Sequence, residues 1–219
     1  MSGALSRRRL RVEAVCASAI FSLAAGGFVS AQGTRTADAA APEVVVHASE
    51  LPDSALYEFD FWKEPASPGG RMVGTANKGD ELDPPPENDP SVSFKVPVRQ
   101  GVPYRCWVHM KVGQAKGKSQ ANLVFVQFTG AIDKANADVL KPGTADYLSA
   151  RGPAREGWSW VGCDSADPSK QLVRFRTSGE VTVRMQAGME GVGFDQVLLS
   201  PARFLEKPPS EAVVAKSSK

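Results

Sequence analysis

Hydrophobic positions recur at every second residue through much of the chain. Val92, Phe94 and Val96 alternate with Ser91, Ser93 and Lys95, and Tyr104, Cys106, Val108 and Met110 alternate with Arg105, Trp107, His109 and Lys111. Val181, Val183 and Met185 alternate in the same way with Thr182, Arg184 and Gln186. A period of two marks a strand with one buried face. Leu123 to Phe128 is apolar at nearly every position, which predicts a strand covered on both faces. Further strand candidates are Glu43–His47, Leu56–Phe61, Leu172–Thr177 and Phe194–Leu199, separated by turn residues such as Pro68-Gly69-Gly70, Gly101-Val102-Pro103 and Gly191-Val192-Gly193. Asp80 to Pro90 carries four prolines and is a connection, because proline cannot serve in a central strand. About eight to ten antiparallel strands predict an all-β fold, a two-sheet antiparallel β-sandwich of jelly-roll type.

The ends read differently. Residues 1–31 carry Arg7-Arg8-Arg9-Leu10-Arg11, then an apolar stretch from Val15 to Phe28, then Val29-Ser30-Ala31, the pattern of a cleavable export signal. Interruptions at Ser18, Ser22 and Gly26-Gly27 argue against a membrane anchor, which needs about 20 strongly apolar residues. The arginines suit either the general secretory route or a twin-arginine route. The expected location is periplasmic or extracellular, with no stable membrane insertion after cleavage. Residues 32–42 read as a linker, 43–206 as the sandwich, and 207–219, with Pro208-Pro209, as a flexible tail.

Charge removes one class of function. The chain has 26 basic and 24 acidic residues; without the leader's four arginines and one glutamate, 22 face 23. The basicity belongs to the leader, and nucleic acid is not an expected partner. Cys16 lies in the leader, so only Cys106 and Cys163 remain after export, where an oxidising compartment favours a bridge between them.

Catalytic chemistry finds little support. Gly157-Trp158-Ser159-Trp160-Val161 has the start of a serine nucleophile elbow but ends in Val161 where glycine is required. His47 and His109 are the candidates for a general base, and both fall in strand patterns. Glu58 and Asp60 share a strand face without any sign of a cleft between them. Sugar binding asks for less: flat apolar faces beside hydrogen-bonding groups, which aromatic rings in accessible segments supply. Trp158, Trp160, Tyr147 and Trp62 are the candidate ligand-binding residues. Gly152-Pro153 and Gly157 bracket the first pair and place them in a loop. Trp107 sits mid-strand and reads as either a second-layer core residue or a platform.

The order of segments resembles the galactose-binding-like jelly rolls, and among them the family 6 carbohydrate-binding modules of secreted bacterial type. The stretches that carry it include Val45-Val46-His47-Ala48-Ser49-Glu50, Gly69-Gly70-Arg71-Met72, Val124-Phe125-Val126-Gln127-Phe128, Gly157-Trp158-Ser159-Trp160 and Gly193-Phe194-Asp195-Gln196-Val197. The resemblance implies a non-catalytic module for a glycan or cell-surface polysaccharide. It also implies a structural calcium held by an acid of the opening motif and the aspartate of the last strand, here Glu50 and Asp195, although one opening acid is missing from Ala48-Ser49-Glu50. No other cofactor is expected. The alternatives are a structural or protein-interaction domain of the cell envelope, which predicts buried tryptophans, and a small exported hydrolase, which predicts an acid pair or a Ser-His contact in a cleft.

Overall fold

A computed structural model describes residues 41–87, 89–114, 120–153 and 155–216. The export signal at 1–31 and the linker up to residue 40 lie outside the described residues. In chain order the strands are β1 (Val44–His47), β2 (Leu56–Tyr57), β3 (Asp60–Lys63), β4 (Arg71–Gly74), β5 (Ser91–Val98), β6 (Tyr104–Gln114) and β7 (Gln120–Ala121). They continue as β8 (Leu123–Phe128), β9 (Ala131–Ile132), β10 (Leu148–Arg151), β11 (Gly157–Gly162), β12 (Leu172–Phe175), β13 (Gly179–Ala187) and β14 (Gly193–Ser200). The larger sheet runs β3-β4-β14-β6-β12-β9, with β1 also on β14 and both β11 and β7 on β6. The smaller runs β10-β8-β13-β5-β2. The all-β, two-sheet antiparallel sandwich expected from the alternation is the fold the chain adopts.

The alternation explains the core. Tyr104, Cys106, Val108, Met110 and Val112 of β6 face inward, as do Val92, Phe94, Val96 and Val98 of β5 and Val181, Val183 and Met185 of β13. Each large aliphatic side chain taken out of water there contributes roughly 1.5–3 kcal/mol. Strand β8 is buried at all six positions, as its composition requires. Val124, Val126 and Phe128 enter the main core, while Leu123 and Phe125 pack outward with Met189. Gln127, also outward, donates through Nε2 to the carbonyls of Lys141, Thr144 and Asp146, which covers that face with a loop.

Two expectations about local structure fail, each for a clear reason. Leu56–Phe61 is not one strand. Glu58 adopts φ 56°, a left-handed turn that sends Leu56–Tyr57 to one sheet and Asp60–Lys63 to the other. Phe59, between them, enters the core edge-on to Phe194 with ring centroids 6.2 Å apart. Nor is 207–216 a free tail, since it lies across the outer face of the larger sheet. Phe204 and Val214 pack there with Val45, Trp107 and Leu198 in a second hydrophobic cluster.

Gly69 fixes the entry to β4. Its φ of 69° is left-handed, and an added Cβ would stand 2.5 Å from Ser49 Oγ. That close approach holds the 3-10 turn Ala48–Glu50 against β4, where Arg71 donates through Nε to the Ser49 carbonyl at 3.1 Å.

Candidate binding face

The outward residues of β6 are Arg105, Trp107, His109 and Lys111. Strand β11 runs antiparallel beside them, with Trp158 opposite Lys111 and Trp160 opposite His109. Both tryptophans therefore project from the same face, half-buried. They do not lie in a loop. Gly157, at φ 111°, turns the chain into the strand, and the two indoles are its outward positions. Ser159 alternates to the other side, away from the histidine.

On the opposite side of β6, strand β14 carries a bulge between Phe194 and Gln196. A bulge adds a residue and re-aims a side chain. Here it brings the Asp195 carboxylate to His109, whose Nδ1–H donates to Oδ1 at 2.7 Å. The two side chains are only 7% and 2% exposed. The imidazole lies parallel to Trp158, with centroids 4.8 Å apart and planes at 15°, and at 4.9 Å from Trp160. Lys111 forms an ion pair with Glu64 and sits 5.8 Å from the centre of the Trp158 ring.

Trp62 belongs to the same face at the sheet's far edge. It pairs with Met72 across β3 and β4, while their neighbours Phe61 and Val73 face the core. Its Nε1–H donates to the Gly74 carbonyl at 3.1 Å, yet the residue stays 43% exposed. A Cβ on Gly193 would approach Met72 to 3.3 Å, so glycine there keeps the floor beside Trp62 low. Four strand spacings separate Trp62 from Trp158, about 19 Å along the sheet.

The remaining sequence candidates fall elsewhere. Tyr147 is not near this face; it packs on Phe125 of the smaller sheet, with centroids 4.7 Å apart. Trp107 is a second-layer core residue, 5% exposed, with its Nε1–H donated to the Phe204 carbonyl at 2.7 Å. Trp160 shares the outward face but donates Nε1–H to the Glu211 carbonyl at 2.9 Å, under the C-terminal segment. Nothing in the residue pattern points to the His109–Asp195 pair; a polar residue on each of two neighbouring strands carries no signature of contact.

Glu50 and Asp195 hold separate partners, Lys216 with His47 for the first and His109 for the second. Among the described residues no group of three or more His, Cys, Asp or Glu side chains is arranged to hold a metal ion. This donor set does not fit the calcium that the resemblance implies. His47 donates Nε2–H to the Val214 carbonyl at 3.2 Å. His109 has its carboxylate, but among the described residues no hydroxyl or thiol is hydrogen-bonded to its ring. Asp60 and Glu58 are both exposed.

Cys106 lies on the inward side of β6, and Cys163 follows the last residue of β11 into the same core. Their sulfurs are 3.2 Å apart, the Cys163 N–H donates to the Cys106 carbonyl at 2.9 Å, and both residues are fully buried. Burial, and then the hydrogen bond with Cys106, pushes the Cys163 thiol well above its ordinary value.

No family model matches the chain, and no curated protein matches it. Among solved structures it is similar to a GH26-CBM35 β-(1,4)-mannanase of Podospora anserina, at 13% identity and a TM-score of 0.48, over 77% of this chain and 29% of that one. It is similar to a carbohydrate-binding module of Cellvibrio mixtus lichenase 5A, solved with cellotriose, at 13% identity and a TM-score of 0.43, over 73% and 97% of the two chains. A third similar structure is the C-terminal CBM6 of a Zobellia galactanivorans laminarinase, at 10% identity and a TM-score of 0.43, over 72% and 98%. The chain thus spans less than a third of the mannanase and almost all of each isolated module.

Proposed function

We propose that the protein is an exported, non-catalytic glycan-binding module whose partner is a polysaccharide or cell-surface glycan. One observation carries the reading: exposed Trp62 and half-buried Trp158 stand on one outward face, flanking the Glu64–Lys111 ion pair. A pyranose presents C–H patches and hydroxyls together, and an indole beside charged groups answers both. The span of about 19 Å between the indoles suits a chain of several sugar units rather than a monosaccharide. His109 and Asp195 are bonded to each other beneath the indoles, an arrangement that holds Trp158 in place and supports a binding role over a catalytic one.

Alanine at Trp62 should weaken oligosaccharide binding about 5- to 30-fold, the equivalent of 1–2 kcal/mol for one stacked ring. It should lower the melting temperature less than Trp158→Ala does, because Trp62 is 43% exposed and lies at the sheet edge. Trp158→Ala should weaken binding by a similar factor and also lower stability, since it uncovers His109. Calorimetric titration against a panel of oligosaccharides, with melting curves of the same samples, checks both. Unaltered binding to a confirmed ligand in both variants would sink the proposal.

A second reading has its own support. The C-terminal segment covers part of this face with protein, as an interaction domain of the cell envelope would. Failure of the chain to bind any glycan, together with capture of a protein partner through Trp62, would favour it.

A further inference from the structure

The C-terminal segment is held to the sheet in two unequal parts. The first, residues 200–206, is bound tightly. Glu43 accepts from Ser200 Oγ and from the Arg203 N–H, both at 3.0 Å, the Phe204 N–H donates to Ser200 Oγ at 2.8 Å, and the Phe204 ring is buried. The second, residues 207–216, adds no strand to the sheet. Its buried residues are Pro209 and Val214, and the rest are half-buried or exposed. It is held chiefly by side chains of the face: Trp160 to the Glu211 carbonyl, Gln196 Nε2 to the Ala212 carbonyl at 3.0 Å, and His47 to the Val214 carbonyl. The Val214 N–H returns a bond to Gln196 Oε1 at 2.9 Å. Its ion pairs, Lys216–Glu50 and Arg203–Glu211, lie at the surface, where such pairs are weak and screened by salt.

The chemistry of those contacts decides what else could sit there. An indole N–H, a carboxamide and an imidazole N–H all point outward from one sheet face, and each is satisfied by a carbonyl oxygen. Sugar hydroxyls accept the same hydrogen bonds, and the rings of Trp160 and Trp158 offer the apolar surface beside them. We infer that residues 207–216 are a displaceable strap that occupies one end of the glycan-binding face and competes with the ligand for it. The inference rests on the glycan reading and adds its regulation. Ligand reaching past Trp158 must lift the strap to gain Trp160, Gln196 and His47. The closed strap therefore lowers apparent affinity by the fraction of molecules in which it is open. Phe204 and the Glu43 contacts remain in place and keep the freed segment tethered.

The test uses the full chain with Val214→Asp, which removes the strap's apolar anchor, and separately Lys216→Glu, a surface change that leaves folding untouched if the first variant does not fold. Two quantities are read: acrylamide quenching of tryptophan fluorescence, and affinity for cellohexaose, mannohexaose and xylohexaose. The expected result is increased quenching in both variants. Binding of one hexaose should be about tenfold tighter in Val214→Asp, as when an open fraction near one-tenth rises to one. A synthetic peptide of residues 207–219 should reverse that gain. Increased quenching with unchanged hexaose affinity would overturn the strap and leave the glycan reading standing. Increased quenching with no binding to any hexaose, in variant or parent, would overturn the glycan reading and the inference together. Unchanged quenching in both variants would show that the segment does not control access to the face, and would overturn the inference as well.

Discussion

Protein lacking residues 1–31, and with them Cys16, is expected to have no free thiol when folded with a disulfide oxidant and to melt about 10 °C above the same protein folded under reduction. Cys106 and Cys163 close a loop of 57 residues, and removing that freedom from the unfolded chain contributes about 4 kcal/mol on the chain-entropy model. The geometry makes bridging feasible, because directly opposed residues on neighbouring antiparallel strands have Cα atoms about 5.5 Å apart. Timing is the constraint. In the folded protein both thiols are fully buried and the Cys163 thiol is pushed up, so little thiolate is present to attack an oxidant. Bridging would have to precede the closure of β11 on β6. Oxidant added to already folded, reduced protein should therefore act slowly or not at all. Thiol counting after denaturation, with the oxidant added before or after refolding, checks this; two thiols in both samples would exclude the bridge.

The second large effect is expected at Asp195. Replacing it with alanine leaves the buried His109 N–H without its acceptor, and a buried donor left unsatisfied costs about 1–3 kcal/mol. Asp195→Asn keeps an acceptor for the imidazole N–H and should cost less than half as much. Denaturant unfolding of the two variants measures the difference. Because the imidazole lies parallel to Trp158, the alanine variant should also change the tryptophan emission. Equal, small losses in both variants would mean that His109 reaches water when the carboxylate is gone.

The parts of this fold that were legible from sequence are those where a single face decides the residue. Alternation along Tyr104–Met110 and Val181–Met185 can be satisfied only by a strand with one side inward, and the structure agrees. Strand β11 was obscured because its inward positions are Ser159 and Val161, too weak a pattern beside glycine signals on either flank. The turn at Glu58 was hidden because the residue is not glycine, so Leu56–Phe61 read as continuous. The C-terminal segment was the largest miss. Its anchors, Phe204 and Val214, are ten residues apart with two prolines between, and the groups it offers to the side chains of the face are its own backbone carbonyls, which no residue type advertises. The candidate binding face was half legible. Its tryptophans stood out by type, but the Asp195 contact depends on a bulge, and the bulge depends on the register between β14 and β6.

Strand β14 has a consequence for how the molecule comes into being. It pairs with β1, β4 and β6, so it forms the middle of the larger sheet, yet it is the last of the described strands in chain order. Strand β1, made some 150 residues earlier, has no other neighbour in that sheet and must wait for it. A chain emerging from the ribosome N-terminus first can assemble β5, β8 and β13 of the smaller sheet beforehand, but not the face that carries the tryptophans. Folding of the larger sheet then waits for β14 and is dominated by contacts between distant segments, which places it among slow folders.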